Sequence, residues 1–562
     1  MRITVVVWVL FAAGIFFFVY ELIRKEIRKE DILNWTNLFL LIGLVVLFIY
    51  LLGRRFIFID DYTHWGVIAR HIVENQALPT AADPLITFPS YVPGSALWVA
   101  YVATMTGGTT EGFYLIAQAF LILVFFAPLT GCTFREKKNR VGMSVCMLIV
   151  TMVLCAVTMS FSATIISLCV DGLLAACALS GIFFLILSDC SLRMKAWFLI
   201  PLMVTVLSIK SAGILYAASE FAVLIYLFAR DKKRVTAGFF AAPVISILAE
   251  LFWQWHVKAV FPDAGSTMHA LSIARWKEIY ASRSPEVVRI ILKEFFRKIT
   301  LWYLVLFVVA IVVFYLFIYI CGRKSNHKVA RQGLWMMLLC LGNYVVYLAG
   351  MLFVYLFSME AGNADRIAAF DRYMWVELIY MGGLCVCFVF RLFSKYEDGF
   401  TEDHPVRAKV NTRFRQFAIR RANPIRMIPL AVAAIAGVAF LLVFWKFGPK
   451  YDSMDYPTST IGQINALSPS DYTGDVLIYA PSQMEDPYDE SLLLYFGRYR
   501  FRSTDVDVAL FERDDVESKL SRHTHFFIAE PDDQLAAYLH GKGWTGDIVP
   551  GMYDVEKKAL AE

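Results

Sequence analysis

Two adjacent carboxylates, Asp60 and Asp61, open the stretch FIDDYTHWGVIARHIVENQALPTAADPLITFPSYVPGSALW. A carboxylate held away from bulk water has a raised pKa and can act as a general base toward a hydroxyl. One acid here would serve as the cap of a helix expected from about Tyr62 to Glu74. Two in a row, just after Arg54 and Arg55, exceed what a cap requires. His64 and His71 stand seven apart and share a face of that helix; they either line one site, bind phosphate, or are plain interfacial histidines. Their spacing is a weak indication of a metal site. Further along, Asp171, Lys210, Glu220, Glu250 and Glu377 lie within or at the ends of apolar runs, with Arg372 and Tyr373 just outside another. An ionisable side chain near a bilayer centre costs roughly 2.5–3.5 kcal/mol on insertion scales. Each is therefore a candidate functional group, or half of a buried pair such as Asp171 with Lys210.

The elements that must position these groups are membrane helices. The chain has 562 residues, of which 58% are hydrophobic, 15% aromatic and 18% charged. Its mean hydropathy is +0.58. These values exclude a soluble single-domain enzyme, a disordered chain and a coiled coil. Long apolar runs separated by polar loops also exclude a β-barrel. A span needs about 20 apolar residues. Twelve are read: 3–22, 35–53, 109–131, 141–160, 166–187, 195–209, 213–229, 237–256, 299–321, 334–357, 374–394 and 427–447. The pair 195–209 and 213–229 is short, which suggests a tilt or a break. Residues 91–106 are apolar but too short to cross, and read as a re-entrant or interfacial helix. The ten cysteines lie in or beside apolar runs, with neither a disulfide framework nor metal-ligand spacing.

Basic clusters fix the expected orientation. RKEIRK, REKKNR, RDKKR and RRANPIR fall in one alternate set of short loops, which the positive-inside rule makes cytoplasmic. The N-terminus, the loop 54–108, the segment 257–298 and the tail 448–562 are then extracytoplasmic. Asp171, Lys210, Glu250 and Glu377 fall in the outer parts of their spans, and only Glu220 is near a middle. Within 257–298, Ser284 and Pro285 start a helix carrying Arg289, Lys293 and Arg297 on one face. It reads as a basic amphipathic helix in the outer interface, either holding lipid phosphate or snorkelling to headgroups. The tail holds 10 Lys+Arg and 21 Asp+Glu, a net of −11, against +16 for the rest of the chain. DVLIYA, DVDVALF and HFFIAE read as strands, alternating with helices at DESLLLYFGRY, DDVESKLSR and DDQLAAYLHGKG, so a small α/β domain is expected. No phosphate-cradling Gly-rich loop follows a strand. Nothing suggests a nucleic-acid partner, because the Lys and Arg sit in short loops beside apolar spans.

At this point the residues resemble a family. Asp60-Asp61 is similar to the acidic pair that opens the first outer loop in the GT-C superfamily of integral-membrane glycosyltransferases, and DDYTHW is similar to the DEFSHW-type string of its bacterial members. YVPG at 91–94 stands where that superfamily has a Tyr-Pro-Pro element, Lys-Ser-Ala-Gly at 210–213 resembles its Lys-x-x-Gly, and Asp371-Arg372-Tyr373 resembles its Arg-Tyr element. The likeness covers roughly 35–395. Val92 replaces the first proline, Asp61 replaces the commoner Glu, and span 3–22 is an addition. The resemblance implies a GT-C-like fold of about 12 transmembrane helices: an extra helix and loop at 1–34, a transmembrane domain at 35–447, and an extracytoplasmic α/β domain at 448–562.

The same resemblance implies a multi-pass cell-membrane enzyme that moves a sugar from a polyprenyl-phosphate donor to an extracytoplasmic glycan, glycolipid or protein, with inversion. Asp60, or else Asp61, would be the base. Arg372 and Lys210 would bind the donor phosphate, with Tyr373 and His64 beside them. Tyr91, Asp171, Glu250, Glu377 and His71 would line the substrate cavity. Some members use a divalent metal and others none, and the residues do not decide this. The alternative is a transporter or flippase of a lipid-linked saccharide, which needs a midplane site. The one-sided charge favours the enzyme.

Overall fold

A computed structural model of the chain describes residues 3–24, 26, 27, 32, 34–131, 141–161, 165–262, 272–325, 327–398, 459–467, 474–484, 486–511 and 514–561. Eleven of the twelve expected spans coincide with helices. They are α1 (Ile3–Ile23), α2 (Trp35–Leu51), α3 (Glu111–Gly131), α4 (Val141–Phe161), α5 (Asp171–Leu187), α6 (Leu192–Ile209), α7 (Ile214–Arg230), α8 (Ala237–Val260), α9 (Trp302–Ser325), α10 (His327–Phe357) and α11 (Phe370–Asp398). The expected span 427–447, the loop 132–140 and nearly all of 395–426 lie outside the described residues. Among those described, eight helices are long and apolar enough to cross a membrane.

Burial ranks these helices. In α5 every residue except Phe184 and Ile186 is buried. A helix apolar all round belongs at the centre of a bundle, and α5 packs against α3, α6, α7 and α11. By contrast α1 buries just Val7 and lies at the rim. Its start is tied to the loop after α2: the Ile3 amide donates to the Gln76 carbonyl at 3.1 Å, and Thr4 Oγ1 donates to Gln76 Oε1 at 2.6 Å. The N-terminus of α1 and the acidic loop therefore share one end of the bundle.

That loop holds three helices. Ile59–Thr63 and Trp65–Asn75 replace the single helix expected at 62–74. The break is His64, whose backbone (φ −154, ψ −53) leaves the helical region. Gly94–Thr106 has 13 residues, about 20 Å of helix, too short for a ~30 Å hydrocarbon core. It lies instead beside the Trp65–Asn75 helix and α3, with Trp98 Nε1 donating to the Ala117 carbonyl at 2.7 Å. The basic amphipathic helix is present at Pro285–Ile299, capped by Ser284 Oγ accepting from the Val287 amide at 3.3 Å. It buries Ile291 and Phe295 against Tyr355 and Phe370.

The C-terminal unit is a five-stranded sheet of order β2-β1-β3-β4-β5. Strands β1 (Val476–Tyr479), β2 (Val506–Ala509) and β3 (His525–Ile528) are the expected three, mutually parallel about β1, with Ile478 paired to Val508 and Phe527. Helices Pro487–Phe501, Val516–Leu520 and Asp533–Gly541 lie at the expected connections. The sequence reading missed β4 (Gly551–Asp554) and β5 (Ala559–Leu560), an antiparallel pair added at one edge. Unlike VLIY, VDVA and HFFI, the segments GMYD and AL carry neither an apolar run nor an alternation long enough to stand out as a strand.

Candidate active site

The site is built at the end of the bundle shared by the acidic loop, the starts of α5 and α11, and the junction of α6 with α7. At that junction Lys210 is extended (φ −161, ψ 138), and Ser211–Gly213 makes one 3-10 turn before α7 begins. Each of the two short spans is a continuous helix, and the join between them falls on the lysine. Gly213 makes the reversal possible, since a Cβ there would stand 2.4 Å from the Val206 carbonyl oxygen. Gly94 does the same for the next layer, where a Cβ would meet the Ser208 oxygen at 2.4 Å. The glycines of YVPG and KSAG thus let two helix ends close around Lys210.

Four charged side chains form one alternating array. Arg372 Nη1 donates to Asp60 Oδ2 at 2.6 Å, and Arg372 Nε lies 3.3 Å from Asp171 Oδ2. Lys210 Nζ donates to Asp171 Oδ1 at 2.7 Å. The Asp171–Lys210 pair that the sequence allowed as a structural alternative is present, but it forms part of a larger cluster. The Tyr373 ring carries both cations, Lys210 Nζ at 4.9 Å and the Arg372 guanidinium at 5.4 Å from its centroid. Cys169 donates to Asp60 Oδ2 at 3.6 Å. Asp171 is nearly closed off, at 5% side-chain exposure, whereas Lys210 keeps 28% and Asp60 21%. The outer members of the array remain reachable.

The two neighbouring acids face different surroundings. Burial pushes Asp60 up, but Arg372 and then His64 outweigh it, leaving the carboxyl below its ordinary value. Asp61 is fully buried. Its Oδ1 accepts from the Leu168 amide at 2.8 Å and from Ser167 Oγ at 3.1 Å, while its Oδ2 has no hydrogen-bond partner among the described residues. Burial pushes Asp61 well above the usual carboxylate range, partly opposed by those two donors. Asp60 meets the cations, and Asp61 ties the loop to residues 167–168.

The other expected site residues divide. His64 is buried in an aromatic box, its ring 5.0 Å from both Phe88 and Tyr91, with Nδ1 2.9 Å from Thr63 Oγ1. Tyr91 stacks on Trp65 at 5.3 Å, and burial, with Tyr373 and Asp60 adding, pushes its hydroxyl well up, so it stays a neutral donor. Glu250 Oε1 accepts from Ser211 Oγ at 3.4 Å, one residue from Lys210. His71 does not join His64: the helix break separates them, and His71 lies 3.6 Å from Asp83 and 3.1 Å from Asn75. Glu377 also stands apart, in a buried network where Tyr216 donates at 3.1 Å and Asn343 Nδ2 donates at 2.9 and 3.0 Å.

Sequence reasoning missed three contributors. Cys169 was read as a small apolar filler, and residues 167–168 carried no signal. The third is the helix Pro487–Phe501, which packs on Ile59–Thr63. Tyr62 meets Phe496 at 5.2 Å and Tyr499 at 5.4 Å. Arg70 donates to the Tyr499 carbonyl at 2.7 Å and lies 3.7 Å over its ring. Tyr488, at the start of that helix, is pushed up to about 12, first by burial and next by the charge of Asp60. The C-terminal unit thus backs the acidic element. Among the described residues no group of three or more His, Cys, Asp or Glu is placed to hold a metal ion. Asp60 and Asp171 already hold cations, so the residues as they stand do not fit a divalent metal.

These features define a polytopic helical membrane protein with a small α/β unit and a cluster of paired charges at one end of its bundle. No family model and no curated protein matches the chain. Two solved structures are similar to it, ArnT from Cupriavidus metallidurans in the apo state and the same protein bound to undecaprenyl phosphate. The identities are 14% and 13% and the TM-scores 0.49 and 0.46, each covering 90% of this chain and 94% of the other.

Proposed function

We propose that this chain is a GT-C-type glycosyltransferase that moves a sugar from a polyprenyl-phosphate donor to an extracytoplasmic hydroxyl acceptor, with inversion. The observation that carries the reading is the array Asp60–Arg372–Asp171–Lys210 at one end of the bundle. It joins an acid from the early loop to cations from two later elements, the arrangement that deprotonation and phosphate departure together require. The basic-loop rule assigns this end to the outer face, where a sugar has to arrive on a lipid phosphate.

In this mechanism the donor phosphate enters between Lys210 and Arg372. With two acids and two cations the resting array is close to neutral, so an added phosphate competes with Asp60 for Arg372. Asp60 then loses its counter-charge in a low-dielectric setting, and its affinity for a proton rises. It accepts the proton of the acceptor hydroxyl as that oxygen attacks the anomeric carbon. The bond from that carbon to the phosphate oxygen breaks on the opposite face, and the polyprenyl phosphate leaves with its charge held by Arg372 and Lys210. Asp171 keeps the two cations together throughout. The acceptor is a glycan, a glycolipid or a protein.

The test uses the full chain reconstituted in liposomes with a panel of polyprenyl-phosphate sugars, reading release of free polyprenyl phosphate. We expect release from at least one donor, lost on Asp60→Asn. Movement of a lipid-linked saccharide across the bilayer with no glycosidic bond broken would overturn the reading in favour of a flippase.

A further inference from the structure

The end of the bundle opposite Asp60 carries a second charged feature. α5 ends at Leu187, α6 starts at Leu192, α7 ends at Arg230 and α8 starts at Ala237. Together with Arg391 of α11, these ends border an open cavity of about 510 Å³. Six cations line it, Arg193, Lys195, Arg230, Lys233, Arg234 and Arg391, against the two acids Asp189 and Asp231. Arg230 is engaged, its Nε and Nη2 donating to the Asp231 carboxylate at 2.6 and 2.9 Å. Arg193, Lys233 and Arg234 are exposed and have no ion-pair partner among the described residues. Lys195 is buried, and its Nζ donates to the Leu185 carbonyl at 2.6 Å, leaving further ammonium protons to spend.

Two hydroxyls of the lining residues, Ser188 Oγ and Thr236 Oγ1, are buried and have no hydrogen-bond partner among the described residues. Loop charges near a membrane follow from topology; a concave wall with excess positive charge and two orphaned buried donors does not. Such a wall suits an anion rich in acceptor oxygens, which describes a phosphate ester. Beside the cavity, Met194, Trp197 and Phe198 of α6 and Phe240 of α8 are exposed apolar side chains on membrane helices, a surface suited to acyl chains.

We infer that this cavity binds a phosphate ester, and that the ligand is the headgroup of an anionic phospholipid in the leaflet opposite the Asp60 site. The inference does not depend on the glycosyl-transfer reading. Free phosphate offers the same chemistry, so the experiment separates the two sources. Thermal midpoints of the full chain are measured in phosphatidylcholine nanodiscs with and without phosphatidylglycerol, and in detergent with and without inorganic phosphate. Bound phospholipid is counted by native mass spectrometry. We expect phosphatidylglycerol to raise the midpoint and to be retained. Replacing three exposed cations together (R193Q, K233Q and R234Q) should weaken retention on the order of a hundred-fold, at about one surface charge each. The charge-preserving set R193K, K233R and R234K should retain it, and so separates lost charge from lost folding. Ser188→Ala with Thr236→Ala should weaken retention with every charge kept. A shift given by inorganic phosphate and lost in the triple variant would keep the phosphate site but assign it a soluble ligand. Equal shifts in wild type and the triple variant, or no shift from either probe, would overturn the inference.

Discussion

Asp60 and Asp61 are adjacent, yet their surroundings assign them different work. Asp60 shares Arg372, whereas Asp61 is closed off against Ser167 and Leu168. Asp60→Asn should lower transfer by roughly 10²–10⁴ and, by leaving Arg372 one counter-charge short, should also lower the melting midpoint in a fluorescence melt. Asp61→Asn keeps the acceptor oxygen and should retain much more activity, whereas Asp61→Leu leaves the Leu168 amide unpaired and should cost about 1–3 kcal/mol of stability. The pH dependence separates them too. Asp60 sits below its ordinary value of 3.8, so its contribution to stability is present above that value and lost as pH falls through the lower folded one. Asp61 sits above 3.8, so it binds its proton more tightly when folded, and stability falls as pH rises from 3.8 toward that higher value. Melts of Asp61→Asn across this window should lose that slope, and an unchanged slope would refute the assignment. Arg372 reaches two carboxylates through one planar fork, which an ammonium cannot copy, so Arg372→Lys should lose most of the activity.

At the scale of elements, the site depends on two irregular joins. Gly213 packs against the Val206 carbonyl, so Gly213→Val should push α7 away from α6, destabilise by about 1–3 kcal/mol, and weaken donor affinity by moving Lys210; substrate saturation curves would show this. The second join precedes α11. Ile367 (φ 50) and Ala369 (φ 58) both hold left-handed backbone, which costs a residue with a Cβ roughly 1–2 kcal/mol. That strain sits directly before Phe370 and Arg372. Ala369→Gly should raise the melting midpoint, and if activity falls at the same time, the strain contributes to fixing Arg372.

At the scale of the whole molecule, the α/β unit and the membrane body meet through the acidic loop. Arg70 bridges to Tyr499, Arg502 Nη2 donates to Glu74 Oε1 at 2.8 Å, and Arg55 Nη1 donates to Asn465 Oδ1 at 2.7 Å. Two of these bonds end on neutral acceptors of the tail, and the one ion pair sets a tail cation on an acid of the membrane body, so the docking does not follow the net charges of the two parts. Arg70→Ala removes both the hydrogen bond and the ring contact. It should speed proteolytic release of the C-terminal unit and reduce activity through the Ile59–Thr63 helix; an unchanged cleavage rate would show that the docking rests elsewhere. Moderate salt should have the same direction of effect on the exposed Arg502–Glu74 pair.

Eleven helices stood at the expected places because a span is recorded in local composition, and a run of about 20 apolar residues has little else to become. The cap at Ser284, the short helix at 94–106 and the join between the spans 195–209 and 213–229 were legible for the same reason, since Pro, Gly and Ser act over a few residues. Asp60, Lys210 and Arg372 were legible as charges in apolar surroundings. Their assembly was not, because Asp60 and Arg372 are separated by 312 positions, and pairing over that distance is decided by which helix ends the fold gathers. The break at His64, the removal of Glu377 into its own network, and the role of Cys169 are packing outcomes of this kind. So is the docking of the tail against Tyr62. Local chemistry fixed the helices and nominated the charged groups; the three-dimensional packing alone decided which acid faces a cation and which is sealed away.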